Sequence, residues 1–201
     1  MSPDRAARSP GRPRDASIDP RVLAAARELL TEYGFDDTTV QAIAERSEVH
    51  ASAIYRRWPS RIEIIEQAVF PGFESVAVQP TGDLRRDLRR FIRAYLAAFG
   101  APAARAAMPG LLASYQSAGR AGAPEKWLAV SARPQFLDIL RAAPVGSVDA
   151  KVDPGDVFDV LLGALLARVL VPTVVERNRP IERLVELTLR MLQAARVAAE
   201  R

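Results

Sequence analysis

The chain has 201 residues, 49% of them hydrophobic, with a mean hydropathy near zero, which is enough apolar material for one substantial core, or one core with a small satellite domain, and excludes wholesale disorder. It has no cysteine and a single histidine, His50, so a disulfide framework, a thiolate metal site and an imidazole cluster are all excluded, and no metal or cofactor is expected. The net charge of +4 and pI near 9.9 favour an anionic partner, and with no apolar run of membrane-spanning length and no apolar signal core at the N-terminus, the cytoplasm is the expected compartment.

Residues 1–16 combine Pro3, Pro10, Pro13 and Gly11 with Arg5, Arg8, Arg12 and Arg14, and read as a disordered basic arm. Gly11-Arg12-Pro13-Arg14 resembles the Gly-Arg-Pro core of AT-hook peptides, which would lay Arg12 and Arg14 in a minor groove; the alternative is a solvated tail. The first helix is expected from about Pro20 to Tyr33, with Asp19 as N-cap and Gly34 as its end. Val22, Leu23, Ala26, Leu29, Leu30 and Tyr33 recur at helical spacing along it.

Thr39 to Arg61 holds two short helical patterns around a tight turn. Thr39 is a good N-cap, Val40, Ile43 and Ala44 form a small inward face, and Ala44 permits the close crossing of two helices over a short turn. Val49 and Ile54 give the second helix its inward face, leaving His50, Ala51, Ser52, Ala53 and Arg56 near or on the outer surface at the end where a recognition helix meets base edges. His50 can instead cap that helix, and Trp58 reads as core. Pro59 and Ser60 then stop one helix and cap the next, Arg61 to about Val69.

Pro71 to Gly82 reads as a connection, and Asp83 caps a helix to Phe99. Its apolar stripe is Leu84, Leu88, Phe91, Ile92, Tyr95, Leu96 and Phe99, opposite a solvated face of Arg85, Arg86, Arg89, Arg90 and Arg93. Short helices are expected near Ala103–Met108 and Pro109–Ala118, then one over Pro124–Ala143 that is broken or kinked at Pro134. The prolines keep these helices from packing as straight neighbours, so an apolar cavity is expected between them, lined by some of Phe91, Tyr95, Phe99, Met108, Tyr115, Trp127 and Phe136; the alternative is that these are ordinary core. Asp153-Pro154 opens a helix that is apolar almost all round, and a terminal helix from Pro180 to about Ala199 carries Ile181, Leu184, Val185, Leu187, Leu189, Met191 and Leu192. One subunit of this size would struggle to cover both.

Gly34, Thr39, Ile43-Ala44, Ile54-Tyr55, Trp58, Ser60 and Arg61 fill, at the right spacing, the anchor positions of the DNA-binding domain of the TetR family, so the chain resembles a TetR/AcrR-type transcriptional regulator. Two positions depart from the pattern. The turn has Glu48-Val49-His50 where the family has Gly followed by Val-Ser, and Arg61 stands for Lys. A Glu at positive φ costs roughly 1 kcal/mol or more, so this turn is either mildly strained or locally different.

The resemblance implies an all-α fold, with a three-helix helix-turn-helix domain over 17–62 and a regulatory and dimerisation domain over 63–201. It implies that Gln41, Ala51, Ser52, Ala53 and Arg56 face bases while Thr39, Tyr55, Arg57 and Arg61 hold phosphates, Tyr55 alternatively packing its ring under the helix. It also implies a homodimer through a four-helix bundle, for which Leu161, Leu165, Leu184, Leu189 and Leu192 are the expected contacts. The expected function is a dimeric repressor, released from a palindromic operator in double-stranded DNA by a small, mainly apolar effector. An activator, or a regulator without a ligand, is the alternative. A helical enzyme is a remote one, because no nucleophile with its base, metal constellation or phosphate loop is visible.

Overall fold

The computed structural model describes residues 16–70, 78–118, 132–171 and 180–193, and over these the chain is all-α. In chain order the helices are α1 (Ile18–Asp37), α2 (Val40–Ser47), α3 (Ala51–Tyr55), α4 (Arg61–Val69), α5 (Leu84–Gly100), α6 (Pro102–Ala118), α7 (Arg133–Ala142), α8 (Pro154–Leu170) and α9 (Ile181–Leu192). Side chains set four of the starts: Thr39, Ser60, Asp83 and Asp153 each accept an N–H from the first turn, at 3.1, 3.2, 3.0 and 2.7 Å. These are the donors that a helix cannot satisfy internally.

Several boundaries differ from the sequence expectation. α1 begins two residues early, with Ser17 as N-cap and Asp19 in the first turn. Pro20 fits inside that turn because the N–H it lacks has no helical partner there. Gly34 breaks the helix at φ 83° as expected, yet a further turn runs on to Asp37, tied back by Thr38 Oγ1 donating to the Gly34 carbonyl at 2.7 Å. The two short helices expected around Pro109 are one, α6, with Pro109 inside it. Proline there removes one backbone bond, and packing against α1, α4 and α5 holds the helix across the gap. Pro134 does not kink a long helix; it sits in the first turn of α7, and the expected earlier part of that helix falls in 119–131, outside the described residues. α9 closes at Leu192 with Gln193 as C-cap, the expected continuation to Ala199 lying outside as well.

Three apolar clusters organise the described residues. The first packs Val22, Ala26, Ile43, Ala44, Val49, Ile54, Trp58 and Ile64 among α1 to α4. The second is a joint in which Leu30, Ile65 and Val69 meet Ala103, Ala104, Ala107 and Leu111 of α6. Its alanines let the backbones approach closely, and the ring of Phe35 lies where a Cβ on Gly110 would have to be, 2.1 Å from Cδ1. α5 and α6 meet at a bend of 83°. The third and largest cluster lies among α5, α7, α8 and α9.

That third cluster takes up the residues expected at the dimer contact. Leu161, Leu165, Leu184, Leu189 and Leu192 are all buried within one subunit, none more than 8% exposed, because α8 and α9 turn these faces onto α5 and onto each other. Part of the arginine face of α5 is paired at the surface, Arg85 with Glu186 at 2.9 Å and Arg89 with Glu182 at 3.4 Å, while Arg86 and Arg93 are exposed. The hydrogen bond from Arg85 holds the Glu186 carboxyl below the usual carboxylate range. Asp87 is fully buried and accepts from Thr81 N and Oγ1 at 2.7 and 2.9 Å, pinning the chain before α5 to the helix.

Candidate nucleic-acid interface

α2 and α3 form a helix-turn-helix whose inner side is closed by core. Ile43, Val49, Ile54 and Trp58 are at most 6% exposed, and Trp58 Nε1 donates to Gln67 Oε1 at 2.7 Å, which fixes the indole as core. Val49 N and Glu48 N return to the carbonyls of Ala44 and Glu45, closing α2 through a left-handed residue, Glu48, at φ 53° and ψ 37°. The strained form of the turn is therefore the one adopted.

On the outer side Gln41, His50, Ser52, Tyr55 and Arg56 are exposed, and Ala51 and Ala53 are half-buried. Tyr55, at 57% exposure, does not tuck its ring beneath the helix. Gln41 Nε2 donates to Glu45 Oε1 at 2.9 Å, one turn along the same face. His50 occupies the N-cap position of α3, but its side chain makes no capping bond; its carbonyl accepts from Ala53 N and Ile54 N. Arg12 and Arg14 lie outside the described residues.

Two of the expected phosphate-holding cations are engaged within the chain. Arg57 Nε donates to Asp19 Oδ1 at 2.6 Å. Arg61 lies over the Phe35 ring, 4.5 Å from its centroid, and donates to the carbonyls of Phe35 and Asp36 at 3.0 and 3.1 Å. Its guanidinium thus serves the last turn of α1.

Residues that local sequence patterns do not single out hold this unit on α1. Arg21 reaches the carbonyls at the end of α2, and Arg27 donates to the Ala68 carbonyl of α4 at 3.2 Å. Arg46 of α2 bridges Glu28 and Glu32 of α1 at 3.3 and 2.9 Å. The hydrogen bond from Arg46 lowers the pKa of Glu32. The one sequence signal for Arg21 is the missing glycine at position 48, which asks for compensation from elsewhere.

Family profiles match both parts of the chain: that of the tetracyclin repressor-like C-terminal domain over residues 78–188, more than half of the chain, and that of bacterial regulatory proteins of the tetR family over residues 22–68. The chain belongs to the TetR family. An uncharacterised HTH-type transcriptional regulator of Mycobacterium tuberculosis, Rv1556, is 42% identical over 81 residues, 40% of this chain and 38% of that protein. Among solved structures, a TetR family transcriptional regulator from Pseudomonas syringae is similar with a TM-score of 0.56 at 21% identity, covering 89% of this chain and 96% of that one. BioQ, solved with its natural double-stranded DNA operator, gives a TM-score of 0.56 at 18% identity, covering 88% and 98%. At those identities the likeness to both structures is one of fold.

In this TetR-family chain the residues expected to line an effector cavity divide into groups. Phe91, Tyr95, Phe99, Met108 and Phe136 share the large core and are buried. Their rings form a row with centroids 4.5 Å (Phe91–Tyr95), 5.8 Å (Tyr95–Phe99) and 5.8 Å (Phe91–Phe136) apart, extended by Phe158 at one end and Phe70 at the other. Tyr115 is not among them. It packs in the α6 joint, where burial and then the Glu66 carboxylate of α4, to which its hydroxyl donates, push its pKa upward. Trp127 lies outside the described residues. A cleft of about 500 Å³ opens elsewhere, between Asp83, Arg85, Ser147, Glu186 and Arg190, and none of the expected residues lines it.

Proposed function

We propose that this TetR-family regulator binds an inverted repeat in duplex DNA as a two-fold dimer, represses from it, and is released by a small, mainly apolar effector. Residues 17–62 form the DNA-binding part, 63–201 the regulatory and dimerisation part, and 1–16 an arm along the minor groove. The observation that carries the reading is the outward face of α2 and α3: Gln41, Ser52, Tyr55 and Arg56 are exposed on helices whose other side is fully committed to core. Gln suits adenine and Arg suits guanine in bidentate contact, so Gln41 and Arg56 carry base readout. The likeness of fold to BioQ, which was solved on its operator, supports the orientation.

For the effector, the row from Phe91 to Phe158 offers apolar surface with the Tyr95 hydroxyl as a polar point. These rings pack on one another, so an effector entering here displaces some of them and favours a rearranged state. Phe70, at the end of α4, touches Phe99 of that row, which gives the rearrangement a path to the DNA-binding part. A tenfold loss of DNA affinity needs about 1.4 kcal/mol of coupling.

The test is selection of bound duplexes from a randomised pool by the full chain, followed by titration with and without hydrophobic metabolite extracts. An inverted repeat with half-sites about one helical turn or a larger multiple apart is expected, with affinity lowered by an extract fraction. Recovery of no sequence would refute the DNA reading, and an inverted repeat insensitive to every fraction would refute the effector.

A further inference from the structure

We propose that Arg21 is the residue that positions the recognition helix α3: from the first turn of α1 it holds the turn before α3 in a left-handed form that glycine would adopt unaided. The inference rests on the DNA-binding reading for its functional consequence and on geometry for its substance. α3 has five residues, Ala51–Tyr55, too few to nucleate or hold a direction alone, so its pose is set by what grips its two ends.

At the leading end stands Glu48, the one non-glycine residue with positive φ among the described residues. An L-residue is disfavoured there by contact between its Cβ and the backbone. The turn leaves acceptors to be satisfied. Ala44 and Glu45 carbonyls are taken by the returning N–H groups of Glu48 and Val49, but those of Ser47 and Glu48 come after the last helical donor. Arg21 Nη2 donates to both, to Ser47 O and to Glu48 O, the latter at 3.3 Å, and stands 3.6 Å from Glu48 Oε2. A guanidinium suits several acceptors at once, and a cation at the C-terminus of α2 is favoured by the helix dipole. Glu48 therefore supplies Arg21 with a carboxylate that glycine would not, while depending on Arg21 to hold its backbone.

The trailing end is gripped from the same turn of α1, through Asp19 on Arg57 at 2.6 Å. With both ends of α3 fastened to one turn, small changes at Arg21 tilt the outward face that carries Ser52, Tyr55 and Arg56. Arg21 acts on DNA through this pose.

The experiment uses the duplex best bound by the full wild-type chain after selection from a randomised pool, a scrambled duplex of equal length, and thermal unfolding without DNA. Arg21→Ala is expected to weaken the selected duplex about tenfold, to change the scrambled duplex less than about twofold, and to leave the salt slope unchanged. Glu48→Gly alone should bind within about threefold of wild type, and Arg21→Ala with Glu48→Gly should return to that level, because glycine needs no clasp. Unfolding midpoints should show the same rescue, so the coupling is measurable even where selection yields no duplex and the DNA reading itself fails. Equal losses on both duplexes with the slope reduced by about one would make Arg21 a phosphate contact and overturn the proposal. So would an Arg21→Ala chain that behaves as wild type, or a double variant as impaired as the single one. If Arg21→Ala alone fails to fold, the double variant decides: folding and binding support the clasp, and failure refutes it.

Discussion

Arg56 and Arg61 stand five positions apart and have opposite fates, for reasons that lie in three dimensions. Arg56 caps the end of α3 in solvent, whereas Arg61 opens α4 and turns its guanidinium onto the Phe35 ring and the carbonyls of Phe35 and Asp36. A charge-assisted bond stabilises by roughly 1.5–3 kcal/mol, and the two made here share Nη1 at a half-exposed site, so together they are worth about one such bond. Arg61→Ala is therefore expected to cost about 1.5–3 kcal/mol of folding stability while leaving the salt slope of DNA binding nearly unchanged. Arg56→Ala should leave stability unaltered and cost roughly 1–3 kcal/mol on the selected duplex, relaxing base preference at one position per half-site. Denaturant unfolding and anisotropy titrations at several salt concentrations measure both. A slope reduced by about one at full stability would return Arg61 to the phosphate role that its place in the family pattern implies. The pattern identified a cation at this position; what it could not carry is the partner, since Phe35 is 26 residues away and a chemically similar Lys would lack the flat face that lies on its ring.

At the scale of elements, caps and periodicity were legible and contacts between distant segments were not. Thr39, Ser60, Asp83 and Asp153 start their helices as the sequence predicts, because a cap is settled within three residues. α6 shows the opposite case: Pro109 reads as a break, yet the helix runs through it because packing on α1 and α4 outweighs one lost backbone bond. Next to that proline, Gly110 admits the Phe35 ring, and five residues on Tyr115 meets Glu66 of α4. This makes α6 the seam between the two parts of the chain. A Cβ at position 110 would lie 2.1–2.4 Å from three ring atoms of Phe35, so the ring must leave its seat and Arg61 loses the surface beneath it. Gly110→Ala should therefore destabilise by about 1–3 kcal/mol through overpacking, against a helix-propensity gain of up to about 1 kcal/mol. Adding Phe35→Ala should recover part of the loss, whereas independent sites would give additive losses in denaturant melts. Additivity would mean that the ring does not hold the seam.

For the whole molecule, the proposed dimer requires a contact surface, and burial changes the answer that hydrophobicity alone suggests. α8 and α9 looked too apolar for one subunit to cover, but α5 and α7 cover much of them: Leu161, Leu165, Leu184, Leu189 and Leu192 face inward. Periodicity shows that a helix has more than one apolar side and is silent on which side its own chain takes. What remains outward is Val160, 57% exposed, and Leu187, 49% exposed, with Leu162, Leu166 and Met191 half-buried. Gly163 lies one turn along α8 from Val160, and a Cβ there would meet nothing within 4 Å, so a partner helix can approach its backbone closely. If dimerisation uses this side, Val160→Glu with Leu187→Glu places two like charges per subunit in the contact and should raise the dimer dissociation constant at least about a hundredfold, close to 2.8 kcal/mol. Helical content and melting cooperativity should persist, because both side chains are outside the core. Leu165→Glu alone should instead unfold the subunit, since it buries an unpaired carboxylate where only 2% of the leucine is exposed, a change that costs more than about 4 kcal/mol. Sedimentation and circular dichroism on the two variants separate the cases. A folded, weakened dimer for the outward pair and an unfolded chain for Leu165→Glu are expected, and an outward pair that dimerises as tightly as wild type places the interface on another surface.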